Sequence, residues 1–151
     1  MKRFAFLVLV FSVAVIAEDK DSMEYQYELI MNCIHKANMT KEEVEFVQNY
    51  LIKKQDDDID YKTEEFLKKY GYFAACLEED LEMMKDSYLV LDKIIEYLVT
   101  NNTMDKHSIN KDFVKECVNA LNDDSEMTRE ERATGAVRCI LTVATHKDQE
   151  K

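Results

Sequence analysis

The length, composition and charge of this chain exclude several classes of protein. Its 151 residues include no proline and only two glycines, so a fold with many tight β-turns is disfavoured and helices joined by Asp, Asn and Ser are predicted. Its formal net charge of −11 disfavours nucleic acid and anionic lipid headgroups as partners, and two glycines leave no glycine-rich phosphate loop.

The amino-terminal segment has the three parts of a secretory signal peptide. Two basic residues come first, an apolar run over residues 4–16 follows, and the small residues Val15 and Ala17 stand before the expected cleavage point. The apolar run is shorter than the roughly 20 residues that span a bilayer, which disfavours an amino-terminal anchor. We therefore expect residues 1–17 to be removed. Residues 18–151 then form a single secreted, extracellular domain with no membrane insertion.

Apolar residues three and four positions apart predict helices throughout the mature chain. The second predicted helix begins with a capping box, in which Thr40 and Glu43 each satisfy a free backbone N–H of the other. The third carries the most regular apolar stripe, which continues without a miss to Met84. The six predicted helices cover about residues 22–36, 40–55, 63–84, 91–98, 113–121 and 133–144.

An acidic run between the second and third predicted helices has part of the pattern of a calcium-binding loop. Asp56, Asp58 and Asp60 have the alternate spacing of calcium ligands. Such a loop needs Gly at its sixth position and Glu at its twelfth, where this chain has Tyr61 and Leu67. The run is therefore predicted to be an acidic connector that gives the next helix a negatively charged amino terminus.

The sequence contains no recognisable catalytic motif. Its three histidines, His35, His107 and His146, are not paired with any nucleophile pattern, and no GxSxG, HExxH or P-loop sequence is present. Runs of carboxylates on amphipathic helices are usually solvated faces. We therefore predict a protein that is not an enzyme, with no catalytic residues, no cofactor and no metal.

The four cysteines are Cys33, Cys76, Cys117 and Cys139, and none lies in the signal segment. An even number of cysteines in a secreted chain predicts two disulfides, and three pairings are open from the count alone. The cysteines and histidines form no closely spaced cluster, which disfavours a zinc site.

The cysteine spacing carries a resemblance over nearly all of the mature chain. Counting back from Cys76 across three intervening residues reaches Tyr72, and counting back from Cys139 across eight intervening residues reaches Glu130. The insect odorant-binding (pheromone-binding) protein family usually places its second and fifth cysteines at these two points, and they pair with each other. The chain therefore resembles the four-cysteine "C-minus" type of this family, in which both are absent. Through this resemblance the implied disulfides are Cys33–Cys76 and Cys117–Cys139.

One spacing departs from the family pattern. The 42 residues between Cys33 and Cys76 are about a dozen more than is typical, and the acidic segment over residues 55–60 is the expected site of the extra length. The chemosensory protein family also has four cysteines, but it separates the last pair by two residues, and the spacing of Cys117 and Cys139 does not match.

The resemblance implies an all-α, compact six-helix, disulfide-stapled domain with an internal apolar cavity. Its expected function is reversible carriage of a small hydrophobic ligand, with Tyr25 or Tyr97 offering a hydroxyl. The alternative is a secreted salivary, venom or reproductive-fluid factor that binds a protein partner or receptor on the same scaffold. A closed cavity favours the carrier, and an exposed apolar patch favours the alternative. The expected ligand-binding residues are Phe73, Met84, Leu91, Ile95, Leu98, Phe113, Val114, Val137, Ile140 and Leu141.

Overall fold

The computed structural model describes residues 20–53, 58–101 and 109–145, and within them the chain is almost entirely helical. The prediction of an all-α, six-helix, disulfide-stapled domain is confirmed. None of the helices in the described ranges is both long and apolar enough to cross a membrane. The helices are α1 (Lys20–Lys36), α2 (Lys41–Lys53), α3 (Tyr61–Asp80), α4 (Leu91–Asn101), α5 (Lys111–Asp123) and α6 (Arg129–Thr145).

Helix α3 is the centre of the molecule. It packs chiefly against α6 and α1, while α5 also packs against α6. Tyr70 and Phe73 of α3 are fully buried, and their rings are in contact with centroids 5.5 Å apart. Because these large side chains fill the space between neighbouring helices, α3 supplies much of the apolar area removed from water on folding.

Local side-chain caps determine where the helices begin. At α2 the predicted capping box is present: the Glu43 N–H donates to Thr40 Oγ1 and the Thr40 N–H donates to Glu43 Oε2. At α3 the Thr63 N–H donates to Asp60 Oδ1 at 2.7 Å, and this bond lowers the pKa of Asp60. Asp60, the last residue of the acidic run, thus caps α3, which begins two residues before Thr63.

The two disulfides pair the cysteines as the resemblance implies. Cys33–Cys76 joins α1 to α3, with Cα atoms 5.7 Å apart, and Cys117–Cys139 joins α5 to α6, with Cα atoms 6.1 Å apart. In the chain-entropy model each cross-link stabilises the fold by about 3–4 kcal/mol. Two disulfides fit an extracellular protein, because reducing compartments keep thiols free.

A small hairpin replaces the end of the predicted third helix, and the assignment of Met84 to that helix is wrong. Strand β1 (Met84–Lys85) pairs antiparallel with β2 (Tyr88–Leu89). Helix α3 ends at Asp80, and Glu82 takes a left-handed conformation with φ 61°. The apolar spacing continues past the helix end because Met84 is also buried, but from a strand.

A buried arginine holds this hairpin to the rest of the domain. Arg132 of α6 donates to the backbone carbonyls of Leu121, Ser87 and Asp124 at 2.6–3.0 Å. Its guanidinium also lies 4.5 Å from the centroid of the Tyr88 ring. Arg132 therefore joins the end of α5, the loop that follows it and the hairpin turn through one side chain.

Candidate functional site

A groove runs between α3, α5 and α6. It has a volume of about 990 Å³ and is partly open to solvent. Ligand pockets in proteins commonly measure about 300–1,000 Å³, so the groove is large enough for a small molecule. Its apolar side chains are Leu51, Leu67, Tyr72, Phe113, Leu121 and Met127.

The only two glycines of the chain both line this groove. A Cβ atom on Gly71 would lie 2.8 Å from the Cβ of Glu130, and one on Gly135 would lie 2.5 Å from Cδ2 of Leu121. Real Cβ atoms do not approach neighbours so closely. At Gly71 the neighbour is the Cβ and backbone of Glu130, so α6 lies nearer to α3 than a side chain at this position allows. At Gly135 the neighbour is the end of the Leu121 side chain, which would have to move to make room. Each glycine lowers helix propensity by about 1 kcal/mol relative to alanine, and the close helix contacts offset that cost.

The disulfide between Cys117 and Cys139 also lines the groove. Phe113 and Leu121 lie one turn to either side of Cys117 on α5, so the three residues form one wall. The cross-link holds this wall at a constant distance from α6. The groove therefore has a covalently anchored side, which limits the conformational freedom lost when a ligand binds.

The acidic side chains that line the groove are already engaged. Glu64 pairs with Lys68 at 3.5 Å, and Glu130 pairs with Arg129 at 2.9 Å. Glu131 accepts a hydrogen bond from the Thr128 N–H at 2.8 Å, in a second capping box at the start of α6. These contacts compensate much of the negative charge along the rim.

Arg138 differs from the other charged residues of the groove. It is exposed on α6, next to the disulfide cysteine Cys139, and its side chain lines the groove. Within residues 20–53, 58–101 and 109–145, its guanidinium has no hydrogen-bond or ion-pair partner. A guanidinium with five free donors is suited to bind a carboxylate or a phosphate.

The ligand-binding residues expected from the sequence were expected to line one cavity together. In the structure they do not all line the same surface. Phe113 lines the groove. Leu91 and Ile95 of α4 are half-buried against the core. The others are buried in the core and do not line the groove: Phe73, Met84, Leu98, Val114, Val137, Ile140 and Leu141.

The two tyrosines that were expected to offer a hydroxyl also lie outside the groove lining. Tyr25 is exposed on α1, and Tyr97 is half-buried on α4, where burial raises the pKa of its hydroxyl. Of the three histidines, His35 is exposed near the end of α1, and His107 and His146 lie outside the described residues.

Sequence reasoning missed Tyr72, Leu121, Met127 and Arg138 as lining residues. Apolar periodicity selects the side chains that face the core, whereas a surface groove is lined by residues at the edges of each helical stripe. One signal was present in the sequence: a glycine inside a helical pattern marks a close backbone approach. Gly71 and Gly135 both lie where the groove is formed.

A second feature is a buried polar cluster between α2 and α3. Gln48 Nε2 donates to the Tyr70 hydroxyl at 3.3 Å, and both side chains are fully buried. The carboxylate of Glu78 is also buried, and both of its oxygens, like Oε1 of Gln48, have no hydrogen-bond partner in the described structure. Burial raises the pKa of Glu78 well above its ordinary value of 4.5.

One group of side chains in the described ranges has the proximity of a metal site: Cys33, Cys76 and Asp80. Both sulfurs are joined in a disulfide, so neither is available as a thiolate ligand. Of the calcium-like acidic run, Asp60 is used as the cap of α3, and Asp56 lies outside the described residues.

Comparisons with models of known protein families, with curated proteins and with solved structures found no match to this chain.

Proposed function

We propose that this protein is a secreted carrier that reversibly binds a small, largely apolar molecule in the groove between α3, α5 and α6. The observation that carries the proposal is a groove of about 990 Å³ with apolar side chains from four segments of the chain and a disulfide in its wall. Removal of apolar surface from water supplies the binding free energy, at about 25 cal/mol per Å². The polar groups along the rim set the orientation of the ligand.

The resemblance to the four-cysteine type of odorant-binding protein supports the same reading. The all-α fold and the pairs Cys33–Cys76 and Cys117–Cys139 are those that the resemblance implies. The signal-peptide pattern of residues 1–17 supports release to the extracellular space. In this proposal the ligand lies in an open groove beside α6, since the expected residues of α4 and α6 fill the core.

Displacement of a fluorescent apolar probe tests the proposal. We expect N-phenyl-1-naphthylamine to bind the disulfide-intact protein saturably, at micromolar concentration. Tyr72→Ala should weaken this binding because Tyr72 lines the groove. Tyr61→Ala is the matched control, since Tyr61 is an exposed tyrosine on the same helix that does not line the groove.

Both substitutions affect side chains that are largely exposed, 56% for Tyr72 and 81% for Tyr61, so both variants should fold. Circular dichroism and the melting temperature check this directly. Equal loss of probe binding in the two variants, or no saturable binding by the folded native protein, would contradict the carrier in this groove.

A protein-binding role is the second candidate, and exposed aromatic side chains favour it. Tyr25 and Tyr27 of α1, Phe46 of α2 and Tyr61 of α3 are each about half or more exposed. Aromatic side chains are common anchors at protein interfaces. This role predicts that Tyr61→Ala weakens a saturable complex with one purified partner from the same secretion, while Tyr72→Ala leaves the complex unchanged.

A further inference from the structure

The polar groups of the groove carry information about the chemistry of its ligand. Thr134 Oγ1 donates to the Glu130 carbonyl at 3.0 Å, and Thr142 Oγ1 donates to the Arg138 carbonyl at 2.8 Å. Their hydroxyl protons are therefore used within α6. The guanidinium of Arg138 remains as a donor group with no partner among the described side chains.

The other charged side chains on the rim of the groove also leave Arg138 as the available donor. Each acidic side chain that lines the groove, Glu64, Glu130 and Glu131, is held by a cation or a backbone N–H. Lys68, the other cation of the lining, is paired with Glu64. Among the groove-lining residues, Arg138 is the cation that has no counter-charge within the described part of the chain.

Arg138 is also well placed beside the apolar part of the groove. It directly precedes Cys139, whose disulfide partner Cys117 lies between Phe113 and Leu121 on α5. A molecule whose charged end binds Arg138 can thus lay an apolar chain against the α5 wall. Arg138 and this wall together suit a molecule with one charged end and one hydrophobic end.

We propose that the ligand of the groove is a single-chain amphiphile with an ionised carboxylate. The carboxylate binds the Arg138 guanidinium, and the aliphatic chain packs against Phe113, Leu121 and the disulfide. This inference rests on the proposed function, because it names the ligand class of the same groove. It goes further because it requires the protein to distinguish ligands of equal chain length by the charge of their headgroups.

Three ligands with the same twelve-carbon chain test the inference at pH 7.4: dodecanoate, dodecanol and dodecylamine. The affinity of each ligand is measured by its displacement of N-phenyl-1-naphthylamine from the disulfide-intact protein, at ligand concentrations below the micellar range. We expect the native protein to bind dodecanoate about three- to tenfold more tightly than dodecanol, the range of a partly solvated, charge-assisted contact. The protonated amine should bind more weakly than the alcohol.

Arg138→Gln should remove the preference for dodecanoate and leave the affinity for dodecanol unchanged, and Arg138→Lys should restore part of the preference. Lys115→Gln is the matched control, since it removes one positive charge from an exposed residue of α5 that does not line the groove. This control should retain the full preference.

The outcomes separate the two proposals. If dodecanol and the probe bind but dodecanoate has no advantage, or if Arg138→Gln keeps the advantage, the assigned ligand class is wrong and the carrier proposal stands. Tighter binding of dodecylamine than of dodecanoate likewise overturns the anionic headgroup. If no ligand and no probe binds the folded protein, both proposals fail together.

Discussion

Replacement of the buried Glu78 by glutamine should change how the stability of this protein depends on pH. Glu78 lies on α3 with both carboxylate oxygens buried and without a hydrogen-bond partner in the described structure. Burial is the main reason why its pKa is raised, with the neighbouring Glu79 adding repulsion and Arg129 opposing the shift. Tyr70, whose own pKa is raised by burial, interacts electrostatically with Glu78 and accepts a hydrogen bond from Gln48.

The sign of the effect follows from proton binding in the two states. Above pH 4.5, the ordinary pKa of the carboxyl group, the unfolded chain loses its proton, while the folded protein keeps the proton on Glu78 up to the raised pKa. The unfolded state is therefore favoured by about 1.4 kcal/mol for each pH unit in this interval. The native protein should lose stability as the pH rises, and Glu78→Gln should not show this loss, because an amide does not titrate.

Urea denaturation of the disulfide-intact protein at pH 4, 5, 6 and 7 measures the effect. We expect the two proteins to have similar free energies of unfolding at pH 4. Above pH 4.5 the variant should gain on the native protein by about 1.4 kcal/mol per pH unit until the raised pKa of Glu78 is reached, after which the difference stays constant. The difference between the two curves cancels every other titrating group. The melting temperature should follow the same trend.

The adjacent carboxylate supplies a control of opposite sign. Glu79 binds Arg129 through two hydrogen bonds of 2.6 and 2.8 Å, and these bonds lower the pKa of Glu79. Its contribution is present at neutral pH and is lost as the pH falls through the lowered pKa. Glu79→Gln should therefore weaken the protein at pH 7. If the native and Glu78→Gln curves run parallel from pH 4 to pH 7, the reasoning about Glu78 is refuted.

Two further substitutions test the contacts that hold the helices and the hairpin together. Gly71→Ala should destabilise the protein by about 1–2 kcal/mol, since the new Cβ would lie 2.8 Å from the Cβ of Glu130 and 3.3 Å from its carbonyl oxygen, and this crowding outweighs the gain in helix propensity; a higher melting temperature would contradict the close approach of α3 and α6. Arg132→Met should cost about 2–4 kcal/mol in urea denaturation, because the carbonyls of Leu121, Ser87 and Asp124 lose their donors; a loss of less than about 1 kcal/mol would show that the clamp is not needed.

The local features of the fold were predictable because each depends on residues a few positions apart. The capping box of Thr40 and Glu43 and the cap at Asp60 satisfy backbone donors within one turn. The hairpin after α3 was missed for the converse reason. Met84 continues the helical spacing, and what ends the helix is the left-handed turn at Glu82, which apolar periodicity does not register.

The candidate site was predictable only in part. Of the expected ligand-binding residues Phe113 lines the groove, whereas Val114, its neighbour on the same helix, is fully buried in the core. The helical spacing of apolar residues identifies both as members of the apolar stripe of α5. It does not show which of them faces the core and which faces the groove. The role proposed for Arg138 was not foreseen, because whether a guanidinium is paired depends on which side chains the fold places beside it.

The sequence by itself determined that the chain is helical, where most of its helices lie and that two disulfides close it, because propensity, periodicity and cysteine number are local or countable properties. The tertiary structure alone decided where the groove lies. The groove is formed by edges of α3, α5 and α6, which meet because Gly71 and Gly135 allow close approach and the disulfide holds one wall. Its shape depends on distances between segments far apart in the chain, and no local pattern encodes those distances.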